Sequence, residues 1–152
     1  MVTKRPIIAV IGGRRASKAL LVTACEVGKE IALRGAVLVC GGLGGVMESA
    51  SQGAKAADGT TIGILPHDHS GSENPFIDIP IATGLGIGRN VIIARTADAF
   101  IAVGGEYGTL SEIAFALQME KPVVGINTWD IKGVIRAETA TDAVNKVFEL
   151  LQ

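Results

Sequence analysis

The sequence predicts an α/β fold in which a doubly wound, mainly parallel sheet carries helices on both faces. Short apolar runs alternate with stretches of helical periodicity along the whole chain, which is the pattern of strand–helix–strand units. Most of the apolar runs are continuous, as in strands that helices cover on both sides. No linker, low-complexity tract or exact repeat interrupts the pattern, so we expect a single domain over residues 1–152.

Three strands and two helices are predicted in the first half of the chain. The strands are short apolar runs at residues 7–11, 36–40 and 60–65. The first helix has apolar residues at three- and four-residue spacing, namely Leu20, Ala24, Val27 and Ile31. Gly35 ends this helix. The second helix presents a narrow face suited to close packing on the sheet, formed by Met47, Ala50, Ala54 and Ala57.

The second half of the chain is predicted to add three strands and two helices. The strands are at residues 76–82, 99–103 and 122–126. The two helices bury apolar residues at helical spacing: Leu110, Ile113, Ala114 and Leu117 in one, and Val144, Val147, Phe148 and Leu151 in the other. Pro66–Phe76 contains two prolines, a glycine and several polar residues, so we predict a long lid or binding loop.

Three of the predicted strands end in a glycine pair, at Gly12–Gly13, Gly41–Gly42 and Gly104–Gly105. The carboxyl ends of parallel strands meet at one edge of the sheet, where ligands bind. Glycine lets the backbone approach a ligand, and the helix that follows offers unpaired N–H groups to phosphate. The alternative for any single pair is a tight strand-to-helix turn. Together, the three pairs predict a cradle for a phosphorylated small molecule.

Two common phosphate-binding patterns are absent. The Walker pattern needs Gly, four residues and then Gly-Lys-Ser/Thr, and GGRRASK lacks the second glycine. The dinucleotide fingerprint needs Gly-x-Gly-x-x-Gly and an acidic residue near the end of the second strand. Here the first turn reads GGRRAS and the second strand ends LVCGG, so we expect no NAD.

Composition excludes several other classes of function. The formal net charge is −1 and no Lys/Arg stripe is present, so we expect no nucleic-acid partner. No apolar run is long enough to span a bilayer, and the first apolar segment is followed by Arg14 and Arg15 rather than by a cleavage region. We therefore expect a cytoplasmic protein with no membrane partner. Because only 19% of the residues are charged, apolar surface remains to be covered, which predicts a homo-oligomer, either a dimer or a tetramer.

No catalytic metal is expected. Cys25 and Cys40 lack paired metal-ligand spacing and are predicted to be small core residues in a reducing compartment. His67 and His69 have the His-x-His spacing of a metal pair, but no third ligand stands out, so a polar loop is the preferred interpretation.

Three segments together resemble the SLOG superfamily of Rossmann-like proteins: GGLGGVMESASQGA at residues 41–54, GRN at 88–90 and GGEYGTLSE at 104–112. The resemblance extends over about residues 6–126. The superfamily includes the lonely guy (LOG) family of nucleoside-monophosphate phosphoribohydrolases and the molybdenum cofactor carrier proteins. The LOG pattern Pro-Gly-Gly-x-Gly-Thr-x-x-Glu falls on Gly104, Gly105, Gly108, Thr109 and Glu112.

The chain departs from the hydrolase pattern at several positions. Val103 replaces the proline, and two residues, Glu106 and Tyr107, stand where one is expected. Arg89 matches the arginine of an arginine–lysine pair, whereas Asn90 replaces its lysine. The small size and the GGEYGTLSEI form resemble the carrier branch, which binds a phosphorylated pterin without reacting it. The resemblance therefore implies a molybdenum cofactor carrier or storage protein; the alternatives are a LOG-like phosphoribohydrolase and a nucleotide-sensing module.

The candidate site combines the glycine turns with the residues that the resemblance adds. The predicted ligand and phosphate contacts are Gly12, Gly13, Arg14, Gly41, Gly42, Gly44, Gly45, Arg89, Asn90, Gly104, Gly105, Glu106, Gly108 and Thr109. In a carrier, Arg14, Arg15, Lys18 or Arg89 would offset the charge of an oxo-metal group.

In a hydrolase, Arg89 would clamp the phosphate and Glu112 would stabilise a cation-like sugar transition state. Outside a site, Glu112 would act as a first-turn acid on the helix dipole and Arg89 would be a surface charge. Thr109 is predicted to cap its helix and to donate its hydroxyl to a phosphate oxygen.

Overall fold

The first strand of the chain lies in the middle of the sheet, where its residues are buried on both faces. The computed structural model describes residues 1–152. Its seven strands are β1 (Ile7–Gly12), β2 (Val37–Cys40), β3 (Thr60–Leu65), β4 (Ile79–Ala82), β5 (Ala99–Val103), β6 (Val123–Ile126) and β7 (Val134–Arg136). All are parallel, in the order β4-β3-β2-β1-β5-β6-β7.

Five α-helices cover the two faces of the sheet: α1 (Lys18–Leu33), α2 (Val46–Ala56), α3 (Arg89–Thr96), α4 (Tyr107–Gln118) and α5 (Ala140–Leu150). Alternate residues of β1 belong to different cores. Ile8 and Val10 pack with α1, α2 and α5, whereas Ala9 and Ile11 pack with α3 and α4. The predicted doubly wound, Rossmann-like single domain is confirmed, and none of its helices has the length and apolarity needed to cross a membrane.

Helices α1 and α2 touch backbone to backbone through two glycines. A Cβ atom on Gly28 would overlap the Ala50 carbonyl, and one on Gly53 would overlap the Cys25 carbonyl. The small-residue face of α2 was predicted to pack on the sheet, and Ala50 also packs against the neighbouring helix. Because these two glycines have no side chain at the crossing, α1 and α2 can approach closely enough to pack side by side on one face of the sheet.

Two elements are missing from the sequence prediction, and a third is shorter than predicted. Helix α3 contains Val91, Ile92 and Ile93, whose branching lowers helix propensity, and its eight residues give a weak periodic pattern. Strand β7 has three residues, too few to stand out in a sequence. The predicted strand at 76–82 begins only at Ile79. The Thr61 hydroxyl donates to the Phe76 carbonyl and accepts from the Asp78 backbone N–H, which holds the preceding residues outside the strand.

Candidate functional site

A cleft of about 450 Å³ opens at the carboxyl ends of β1 and β5. At this point the chain order changes direction across the sheet, which is where open α/β folds bind ligands. This first cleft is lined by Gly12, Gly13, Arg14, Arg15, Met47, Ile87, Arg89, Asn90, Glu106, Gly108, Thr109 and Glu112. Four segments that are distant in the sequence therefore meet in one concavity.

Most of the candidate site residues lie in this lining, together with three that the sequence analysis did not place among the ligand contacts. The sequence predicts Arg15 only as a charge that offsets an anionic ligand. Met47 was assigned to a packing face, and Ile87 was not considered. In the sequence, the clue to Ile87 is that an apolar residue lies between two glycines, Gly86 and Gly88. In the structure, its side chain is 88% exposed.

Six candidate glycines lie outside the lining of the first cleft: Gly41, Gly42, Gly44, Gly45, Gly104 and Gly105. Two of them, Gly41 and Gly45, pack against residues of the lining. A Cβ on Gly41 would overlap the Arg89 guanidinium, and one on Gly45, where φ is +68°, would overlap the carbonyl oxygens of Gly13 and Arg14. Another of the six, Gly44, lines a neighbouring cleft. Ligand contact by these six glycines stays a prediction.

Arg89 is buried, which excludes the solvated surface charge considered as its alternative role. Its Nε donates to the Ile64 carbonyl at 2.9 Å, its Nη2 to the Gly41 carbonyl at 3.3 Å and its Nη1 to the side-chain oxygen of Asn90. Burial lowers the pKa of Arg89, and the nearby Glu112 opposes this shift. Since a guanidinium has five N–H donors, two remain for a ligand in the cleft.

Asn90 joins α3 to the first turn of α4. Its Nδ2 donates to the Ser111 hydroxyl at 3.2 Å, and that hydroxyl donates to the Gly108 carbonyl at 2.6 Å. Asn90 also accepts from Arg89 and is 4% exposed. Asn90 thus links the Arg89 guanidinium to the start of α4 through its side-chain amide.

Glu112 is buried in the wall of the cleft and makes no hydrogen bond within the chain. Burial raises its pKa to about 8, although the positive charge of Arg89 acts in the opposite direction. The carboxyl group is therefore mainly protonated at neutral pH.

The predicted capping role of Thr109 is wrong. Helix α4 begins at Tyr107 and its N-cap is Glu106, so Thr109 lies inside the first turn, where it is 3% exposed.

The helices that begin at the cleft lack side-chain caps. The N-caps of α2 and α4 are Gly45 and Glu106, and neither accepts a side-chain hydrogen bond from its helix. In contrast, Ser17 and Thr139 cap α1 and α5. The first N–H of α2, that of Val46, donates to the Gly13 carbonyl at 3.0 Å. The positive ends of two helix dipoles lie at the wall of the cleft, with no side chain capping the other first-turn N–H groups.

A second cleft, of about 390 Å³, adjoins the first and shares Arg14 with it. Its lining is Arg14, Leu43, Gly44, Glu48, His67, Ser72 and Asn74. The last three belong to the predicted Pro66–Phe76 loop. Asn74 anchors this loop, since its Nδ2 donates to the Leu43 carbonyl and its backbone N–H donates to the Gly42 carbonyl, both at 2.9 Å.

The histidines of the loop do not form a metal centre with other residues. His69 pairs with Asp68 at 2.8 Å, and the rings of His67 and His69 lie 5.7 Å apart. No group of three His, Cys, Asp or Glu side chains converges anywhere in the chain.

The family model of the SLOG cluster4 family matches residues 5–150. The chain belongs to the SLOG cluster4 family. This confirms the superfamily resemblance that the glycine-rich motifs and the GRN segment indicated in the sequence.

Two solved structures closely resemble this SLOG cluster4 chain. The molybdenum cofactor binding protein from the phototrophic bacterium Rippkaea orientalis is 38% identical, with a TM-score of 0.94 over 99% of this chain and 100% of that one. The molybdenum cofactor carrier protein MCP from Chlamydomonas reinhardtii is 41% identical, with a TM-score of 0.89 over 97% of this chain and 99% of that one.

A hydrolase relative is more distant. The cytokinin riboside 5'-monophosphate phosphoribohydrolase of Mycobacterium tuberculosis is 34% identical over 126 residues. The match covers 72% of this SLOG cluster4 chain and 64% of the hydrolase, so it extends over less than two thirds of that protein.

Proposed function

We propose that this protein binds a phosphorylated, anionic small molecule in the first cleft, and that it is a carrier or storage protein for the molybdenum cofactor. The observation that carries the proposal is the first cleft itself, where Arg14, Arg15 and Arg89 meet the first turns of α2 and α4. The similarity to the molybdenum cofactor proteins of Rippkaea orientalis and Chlamydomonas reinhardtii supports the identity of the cargo.

The anion is held by charge and by main-chain donors. Arg14 and Arg15 are exposed at the cleft and make no hydrogen bond or salt bridge within the chain, so both are free to approach a phosphate or an oxo-metal group. Arg89 adds a fixed positive charge on the inner wall, and the first turns of α2 and α4 add N–H groups.

Glu112 favours binding over hydrolysis. Cleavage of an N-glycosidic bond needs an ionised carboxylate near the developing sugar cation. With a pKa of about 8, Glu112 is mainly a neutral hydrogen-bond donor at neutral pH. A neutral donor beside Arg89 accepts an anionic ligand without charge repulsion, which is what a carrier requires.

The second candidate function is a nucleoside-monophosphate phosphoribohydrolase. Two observations favour it: the similarity to the Mycobacterium tuberculosis enzyme, and the presence of both Arg89 and Glu112 in the cleft. For that reaction, nucleotide binding would have to lower the pKa of Glu112 from about 8 to below neutral pH, so that its carboxylate is ionised.

The test is anaerobic loading with purified molybdenum cofactor, followed by desalting and fluorescence measurement of the oxidised pterin that the protein retains. We expect retention by the unmodified protein and its loss in the double variant Arg14→Gln/Arg15→Gln. Lys29→Gln, which removes an exposed charge on α1, is the control and retains the cofactor. Release of free base from nucleoside monophosphates, abolished by Glu112→Gln, together with no retained pterin, would overturn the carrier and favour the hydrolase.

A further inference from the structure

The second cleft contains two polar groups that have no partner in the chain. Glu48, in the first turn of α2, is half-buried and makes no hydrogen bond or salt bridge. Its Oε2 faces the backbone of Gly44, where an added Cβ would lie 4.0 Å away. Across the cleft, the Nδ1 atom of His67 is enclosed and unpaired. An unpaired carboxylate in a concavity has both oxygens available to accept hydrogen bonds from a bound molecule.

The two clefts are continuous at Arg14, which lines both of them. An elongated ligand whose anionic end lies against Arg89 and the start of α4 can extend past Arg14 toward Glu48. The two clefts differ in chemistry. The first contains three arginines with Glu106 and Glu112. The second contains Arg14 with the Glu48 carboxylate, the Ser72 hydroxyl, the Asn74 amide and the His67 imidazole.

We propose that the second cleft receives the 2-amino-4-oxopyrimidine ring of the ligand, with Glu48 accepting hydrogen bonds from the ring N–H and from the adjacent amino group. This inference rests on the proposed function, which places the phosphorylated end of the same ligand in the first cleft. Two parallel N–H donors match the two oxygens of one carboxylate, and such charge-assisted pairs are strong and specific.

Two classes of molecule carry this ring edge, namely pterins and guanine nucleotides, and the experiment separates them. The probes are an oxidised pterin bearing a phosphate monoester and the matching lumazine phosphate, in which a carbonyl replaces the 2-amino group. GMP and IMP form a second pair that differs in the same amino group. Binding is followed by pterin fluorescence or by calorimetry, with inorganic phosphate as the competitor for the anion site.

We expect the unmodified protein to bind the pterin phosphate about tenfold or more tightly than the lumazine phosphate, because a hydrogen bond to a charged group is lost. Glu48→Gln should abolish this discrimination while the competition by inorganic phosphate persists. Glu26→Gln, which removes the same charge from an exposed position on α1, should keep the discrimination. A stronger preference within the GMP and IMP pair would assign the site to a guanine nucleotide.

The outcomes separate this inference from the proposed function. Equal affinity for the pterin and lumazine phosphates, with phosphate still competing, would overturn the role of Glu48 and leave the anion site intact. Unchanged discrimination in Glu48→Gln would overturn it as well. If neither probe binds and inorganic phosphate does not bind, the proposed function itself fails.

Discussion

Glu112 occupies a position where its proton determines the charge of the cleft. Only 7% of the residue is exposed, and the group that opposes its neutralisation is Arg89, whose own donors are partly occupied by the chain. Burial therefore outweighs ion pairing and raises the pKa of Glu112 to about 8. An anion entering the cleft would favour the protonated form further, so ligand binding should take up protons and weaken above this pH.

Glu112→Gln should be more stable than the unmodified protein at alkaline pH and nearly equal to it in acid. The folded chain keeps the Glu112 proton up to about pH 8, whereas the unfolded chain releases it above its ordinary pKa of 4.5. In this interval the unfolded state binds fewer protons, so stability falls as pH rises. We expect urea unfolding at about pH 5 and about pH 9 to show this. Between the two pH values, the free energy of unfolding of the unmodified protein should fall by at least about 1.4 kcal/mol relative to that of Glu112→Gln, the equivalent of one pKa unit.

The control for this measurement is Glu26→Gln, since Glu26 is exposed on α1. Its stability should run parallel to that of the unmodified protein at every pH. If the curves for Glu112→Gln are parallel too, then Glu112 is ionised in the folded protein and the argument for a neutral cleft is lost.

At the level of elements, the crossing of α1 and α2 fixes where α2 begins and thus where the first cleft lies. Gly53→Ala improves intrinsic helix propensity by about 1 kcal/mol, which alone would stabilise α2. The added methyl group would overlap the Cys25 carbonyl of α1, and overpacking of this kind costs about 1–3 kcal/mol. Because the overlap is with rigid backbone, we expect a net loss of stability, measured as a lower urea midpoint.

Gly108→Ala provides the comparison for Gly53→Ala. Gly108 is also helical, but no atom lies within 4 Å of an added Cβ, so this variant should be as stable as the unmodified protein or more stable. Equal midpoints for the two variants would show that the helix crossing has room for a methyl group.

The turn before α2 offers a second comparison. Gly45 and Gly35 both have positive φ, at +68° and +76°. An alanine at Gly35 meets no atom and carries only the left-handed strain of about 1–2 kcal/mol. An alanine at Gly45 also overlaps the carbonyls of Gly13 and Arg14, so it should lower the urea midpoint further and displace the Arg14 turn. Retention of the cofactor should therefore fall in Gly45→Ala and persist in Gly35→Ala; equal effects in both would contradict this role of Gly45.

The same turn shows what sequence could and could not predict. Glycine pairs after apolar runs correctly placed the turns at one edge of a parallel sheet, because strand and turn patterns are local. The packing of Gly45 on Gly13 depends on two loops that are far apart in the sequence, and no local pattern encodes it. The resemblance identifies Arg89, but its buried position depends on hydrogen bonds to the carbonyls of Ile64 in β3 and of Gly41 just after β2.

At the scale of the whole molecule, the sheet order accounts for a cleft that is assembled from distant segments. Strand β1 lies between β2 and β5, so the chain builds outward on one side through β4 and then returns to build the other side. The β1–α1 turn thus contacts both halves, and Arg14 within it reaches both clefts. A single elongated ligand that contacts both clefts would bind residues from both halves of the sheet. Such a ligand should raise the free energy of unfolding of the whole domain.

The surface of the molecule leads to the prediction of a homo-oligomer, either a dimer or a tetramer. Large apolar side chains remain exposed in the single chain, including Leu85 at 55%, Ile87 at 88% and Tyr107 at 81%, beside the first cleft, and Leu33 at 67% on α1. Covering such groups is a principal driving force of association. Sedimentation velocity at micromolar concentration should therefore give a mass of two or four chains. Leu85→Glu should shift it toward the monomer if the cleft face is the interface, and Leu33→Glu if the α1 face is. A monomeric mass for the unmodified protein would contradict the prediction.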